Sequence, residues 1–173
     1  WFMTFSRSAL NFVALACLFP ASLFAAGRSS SCIPPNKRHL KPTVLEKSNI
    51  SEKRFNEIIA AVEKVYAPIV RSHGAKLKIN RRWNDETVNA NAEQNGTQWE
   101  VNMYGGLARQ PEVTPDGFSL VVCHELGHHL GGYVMVKDDD MKWASNEGQA
   151  DYFATQSCAK EVWKTEPEEN AKH

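Results

Sequence analysis

His124, Glu125 and His128 stand close together in "HELGHHLGG", His124 to Gly132, which holds three of the chain's six histidines. On a helix of 3.6 residues per turn, taking His124 as 0°, His128 falls at about 40° and Glu125 at about 100°. Two imidazoles one turn apart can grip a single zinc ion, and the glutamate between them can reach a water on that ion. Val122 and Leu126 fall on the far side, so the helix has a metal face and a core face. His129 falls at about 140°, off the metal arc, and reads as a polar or structural residue. Cys123 lies on the flank opposite Glu125 and is not read as a ligand.

A catalytic zinc needs a third protein ligand and one position left open. One extension of the motif places a third histidine six residues after the second, but that position is Val134. The alternative is a carboxylate from a second helix. "SNEGQADYFAT" offers Glu147 and Asp151, four apart and therefore on one helical face. Alone, that pair reads as a solvated face; beside an incomplete HExxH it reads as site chemistry. Glu147 is then the third ligand. Asp151, one turn on, is placed to accept the second ring N–H of His124, fixing its tautomer and orientation. Gly148 and Ala150 are small enough for the two helices to approach closely. The Asp138–Asp140 run could also offer ligands, though a triple-Asp loop reads more simply as solvated.

The elements that must position these residues follow from periodicity. Ser51 is placed as an N-cap, and Phe55, Ile58, Ile59, Val62, Val65, Tyr66 and Ile69 recur at helical steps up to His73-Gly74, with Pro68 expected to kink or fray the last turn. Three strand-like runs follow, 76–83, 86–92 and 97–103. Asn95-Gly96 is a hairpin signal, and the short connections predict an antiparallel meander. Thr114-Pro115 opens the HExxH helix as cap and first residue, and Gly131-Gly132 closes it. The last helix is expected from about Ser145-Asn146. The domain expected from these elements is α+β and spans 48–165, preceded by an extended lead-in at 28–47 and followed by a loose tail at 166–173.

The first 27 residues read differently. From Met3 they run MTFSRSALNFVALACLFPASLFAAG: one Arg, an apolar stretch, then small residues before Gly27. This is the pattern of a secretory signal peptide cut near residues 25–27. Asn11, Pro20 and Ser22 interrupt it too often for a stable membrane anchor. Export leaves Cys32, Cys123 and Cys158, from which one disulfide and one thiol are expected. Cys123, inside the active-site helix, is taken as the buried thiol, and Cys32 as the partner of Cys158. Twenty basic and twenty acidic side chains cancel, giving no electrostatic reason to expect nucleic acid as a partner. Oligomeric state is not legible.

His124-Glu125-x-x-His128 followed by Asn146-Glu147-x-x-x-Asp151 resembles the gluzincin branch of zinc metallopeptidases, the thermolysin-like pattern. Trp143–Thr155, WASNEGQADYFAT, is similar to a stretch in small exported bacterial proteins described as metalloproteases. The resemblance covers about 121–158 and is thin elsewhere. It implies one zinc per chain on His124, His128 and Glu147, Glu125 as general base, Asp151 behind His124, and a peptide or protein substrate. It also implies that the strand at 97–103, or its neighbour, edges the cleft and pairs with an extended peptide. Larger members carry a lobe supplying an oxyanion-stabilising His or Tyr; Tyr133, Tyr104 and Tyr152 are the candidates here. The expected function is secreted or periplasmic peptide hydrolysis. A zinc-binding module without turnover and a non-peptidase zinc amidohydrolase are the alternatives, the latter in its deformylase-like form needing Cys32 as a ligand.

Overall fold

The computed structural model describes Ser30–Ser31, 36–42 and 48–164. The signal-peptide segment, Cys32 and the tail at 166–173 lie outside the described residues. The fold is α+β. In chain order the elements are β1 (Ser30–Ser31), α1 (Glu52–Ser72), β2 (Lys76–Arg82), β3 (Ala90–Asn95), β4 (Gln98–Tyr104), α2 (Gly105–Ala108), α3 (Pro115–Leu130), α4 (Glu147–Phe153) and α5 (Ala159–Trp163). A single-turn 3-10 helix at Asp139–Met141 precedes α4, and a π-turn at Ala154–Cys158 joins α4 to α5.

α1 forms where the apolar spacing requires. Ser51 accepts from the Arg54 N–H at 3.2 Å, and Phe55, Ile58, Ile59, Val62, Tyr66 and Val70 bury one stripe. The helix runs past Pro68 to Ser72, and Ile69 faces solvent while Val70 takes the core position. Phe55 ties the elements together, its ring 5.3 Å from Trp83, the residue after β2, and 5.1 Å from Phe118 on α3.

The sheet order is β1-β3-β4-β2. Asn95-Gly96 turns β3 into β4 as an antiparallel hairpin, with Gly96 at φ 59°, where a side chain would be strained. The expected meander is not formed, because β2 pairs parallel with β4, Ile79 opposite Val101. The reason lies in the 83–86 connection. Arg109, wholly buried, donates to the carbonyls of Trp83 at 2.7 Å, Asp85 at 2.9 Å and Leu40 at 2.8 Å. The chain leaving β2 is captured by this guanidinium instead of folding straight back, and β3 starts only at Ala90, on the far side of β4. Leu77, Ile79, Val101, Met103, Ala90 and Ala92 form the buried face.

The disulfide differs from expectation. Cys123 bonds to Cys158, with their Cα atoms 5.6 Å apart. The flank of α3 opposite Glu125, where the helical wheel places Cys123, is the one against which the π-turn packs. The bond therefore staples the HExxH helix to the segment following Asp151. Closing 35 residues corresponds to a stabilisation of about 4 kcal/mol on the chain-entropy scale. A Cys123→Ala/Cys158→Ala variant should lose about that much in urea unfolding, compared with the unreduced parent chain.

Candidate metal centre

α3 begins as the sequence indicates: Thr114 accepts from the Gly117 N–H at 3.0 Å, and Pro115 takes the first turn. Its buried positions include His124, Glu125 and His128. α4 opens with Glu147, and its Asn146 cap accepts from the Gln149 N–H at 2.9 Å. The two helices meet backbone to backbone. A Cβ on Gly127 would stand 2.8 Å from Ala150 Cα, so only glycine permits this approach. Of the two small residues expected to allow it, Ala150 is at the contact and Gly148 is not; a Cβ there would meet nothing nearer than Asn146 Oδ1 at 3.7 Å.

This approach brings His124, His128 and Glu147 together, one ligand atom from each lying within 4.8 Å of the others. Glu147 Oε2 is 3.0 Å from His124 Nε2, and Oε1 is 3.8 Å from His128 Nε2. The opposite ring nitrogens are both held. His124 Nδ1 lies 2.8 Å from Asp151 Oδ1, and His128 Nδ1 lies 2.8 Å from the Ser145 carbonyl oxygen. Since a carbonyl only accepts, His128 must carry its proton on Nδ1, which leaves Nε2 with a bare lone pair when the ring is neutral. Burial favours that neutral form, pushing the His128 pKa below the ordinary histidine value. Both lone-pair positions point at one carboxylate.

The fit to a metal can be judged on an atom. His124 Nε2 is buried and makes no hydrogen bond, although Glu147 Oε2 is 3.0 Å away. A buried nitrogen facing an oxygen without hydrogen-bond alignment is costly on its own. A cation between the two would satisfy it. Two imidazoles and one carboxylate are a donor set that suits zinc. Compared with family models, curated proteins and solved structures, the chain matches none.

Glu125 is wholly buried and lies outside the three-residue cluster. Asp138–Asp140 takes no part in the cluster; Asp138 caps its own turn by accepting from the Asp140 N–H at 3.0 Å. Among the three tyrosines, Tyr133 and Tyr152 are exposed, whereas the Tyr104 hydroxyl donates to Asn91 Oδ1 at 2.8 Å. The strand at 97–103 is not an edge, since β4 lies between β3 and β2; β3, on the α3 side, is itself covered by β1, so the edges of the described sheet are β1 and β2.

Two features were not visible in the sequence. Ser145 contributes only a backbone carbonyl, which any residue has, so its residue type carries no signal. His129 is sandwiched between Trp99 and Trp143, ring centroids 5.1 and 4.9 Å away, and its Nε2–H donates to the Glu100 carbonyl at 3.2 Å. This stack ties α3 to β4 and to the loop leading into Ser145.

Two predictions arise here. Asp151→Asn keeps shape but weakens the acceptor behind His124, and should reduce zinc affinity about 10- to 100-fold in a chelator competition. Unchanged affinity would make Asp151 a surface residue. The second concerns acid. Burial holds the His129 pKa down at about 4, whereas in an unfolded chain histidine titrates near 6.5. Between those values the unfolded state binds a proton that the folded state refuses, so stability falls as pH falls. The loss should total about 3 kcal/mol from this residue between pH 6.5 and 4. Urea unfolding at pH 7, 5.5 and 4, repeated with His129→Phe, checks it: the variant should lose one proton's worth of slope.

Proposed function

We propose that this chain is an exported zinc-dependent metallopeptidase. The observation that carries the reading is the paired arrangement of His124 and His128, each with Nδ1 held by an acceptor and Nε2 turned to Glu147. Zinc, when bound there, supplies a Lewis acid that polarises a carbonyl and makes water a nucleophile at neutral pH. Glu125 would take a proton from the attacking water as the water oxygen adds to the peptide carbonyl carbon. The same carboxyl group then gives the proton to the departing amine nitrogen as the C–N bond breaks. Buried and carried on the same rigid helix as two of the ligands, Glu125 is held at a constant distance from them. Asp151 and the Ser145 carbonyl orient the two rings.

The outer side of β3, along which β1 pairs in this structure, is where an extended substrate would add as a strand. Export is supported by the leader-like segment from Met3 and by the Cys123–Cys158 disulfide, a bond that persists in oxidising compartments. The deformylase-like alternative needs Cys32 as a ligand, and that residue lies outside the described residues. The decisive experiment combines metal analysis of the purified chain with cleavage of an unbiased peptide library. One zinc per chain together with cleavage that a chelator abolishes is the expected result. Stoichiometric zinc without cleavage of any peptide would instead make it a binding module.

A further inference from the structure

Two described stretches of the lead-in are paired. Ser30 lies opposite Ala92 and Ser31 opposite Asn91, antiparallel on the outer edge of β3. The same track resumes further on. His39 bridges Thr87 antiparallel, the Leu40 N–H donates to the Glu86 carbonyl at 2.8 Å, and the Val88 N–H donates to the Arg38 carbonyl at 3.2 Å. Asn36 Nδ2 adds a bond to the Val88 carbonyl at 3.3 Å. The run is anchored at its end by the buried Arg109, which donates to the Leu40 carbonyl at 2.8 Å.

This edge borders the candidate centre. β1 packs against α3 as well as β3. Asn91, opposite Ser31, is the partner of the Tyr104 hydroxyl, and Tyr104 lies near enough to Glu125 for that carboxylate to add to the rise burial imposes on its pKa. Ser31, Asn91, Tyr104 and Glu125 thus form a short path from the lead-in to the catalytic side of the helix.

We propose that the segment at Ser30–Ser31 is a built-in occupant of the peptide-binding edge of β3, which an incoming extended peptide must displace. The inference rests on the peptidase reading only in taking that edge as the substrate's place. A strand of two residues pairs weakly by itself. Joined in sequence to the paired run at 36–40, however, it is held at a local concentration on the order of millimolar. Main-chain pairing is indifferent to side-chain identity, so the segment competes with any extended peptide whatever its sequence. It also covers an edge otherwise open to unwanted strand addition.

The test is a full-length chain carrying Ser30→Pro and Ser31→Pro. Of two adjacent strand residues one points its N–H at the partner, and proline at both removes it whichever that is. The probe is a fluorescein-labelled peptide copying residues 27–34 with Ser in place of Cys32. Its anisotropy should show binding about tenfold tighter to the variant than to the parent, with and without zinc. For a cleaved library peptide, KM should fall by a similar factor at unchanged kcat and zinc content. A second measurement uses the parent chain, in case the variant does not fold: millimolar probe should speed hydrogen exchange at the Ser30 and Ser31 amides. Equal probe affinity for both proteins, or exchange at 30–31 that saturating probe leaves unaltered, would overturn the proposal and leave the segment a permanent edge cover. Failure of the zinc-loaded chain to cleave any peptide would sink the peptidase reading alone, because metal-free binding and exchange still decide this one.

Discussion

Glu125→Gln is expected to keep its fold and its full zinc content while hydrolysis of any peptide the parent cleaves falls by about 10² or more. Glutamine preserves the size of a side chain that is wholly buried, so neither a cavity nor a clash is created. What it removes is basicity. Because Glu125 lies outside the cluster of His124, His128 and Glu147, metal affinity should not depend on its charge as a ligand's would. Metal analysis and kcat/KM on the same preparation separate the outcomes. A variant that loses zinc would make Glu125 a ligand or a support for one. A variant that keeps full activity would put the chemistry elsewhere in the chain.

The second large effect belongs to Glu147→Ala. Glu147 would supply the anionic ligand of the three, its Oε2 3.0 Å from His124 Nε2 and its Oε1 3.8 Å from His128 Nε2. Its removal should weaken zinc binding by more than the roughly 100-fold expected for the most sensitive supporting residues. Its side chain is 59% exposed and carries no core packing, so the helices should remain docked. Zinc after exhaustive dialysis, read beside circular dichroism, is the measurement. If Glu147→Ala keeps one zinc per chain while Asp139→Ala loses it, the third ligand has been misassigned and the acidic loop takes its place.

What could be read from the sequence was whatever short-range physics decides. Ser51, Thr114-Pro115 and Asn146 act within one turn of themselves, and Asn95-Gly96 needs only its two flanking strands. The HExxH spacing and the Glu147–Asp151 spacing each live on one helix, so their faces were legible. Their meeting is a different matter, and it depends on Gly127 against Ala150, a contact 23 residues apart in the chain. The parallel pairing of β2 with β4 was hidden because it is imposed by Arg109, which reaches back to Trp83, Asp85 and Leu40. Cys123 was placed on the correct flank of its helix, but nothing local indicated that Cys158 would arrive there. Ser145 holds His128 through an atom common to every residue.

The contact between Gly127 and Ala150 has one further consequence. With main chain against main chain, the gap between the two helices is set by hard atoms and has no rotamers through which to widen. The spacing of the two helix backbones that carry the three donor groups is therefore inherited from a residue that is none of them. Large cations such as calcium want six to eight oxygens at long distances, and a cage of fixed narrow gauge with two nitrogens discriminates against them before ligand softness is considered. Selectivity among metals would then be tuned less by exchanging ligands than by adding or removing a single methyl group at the helix crossing.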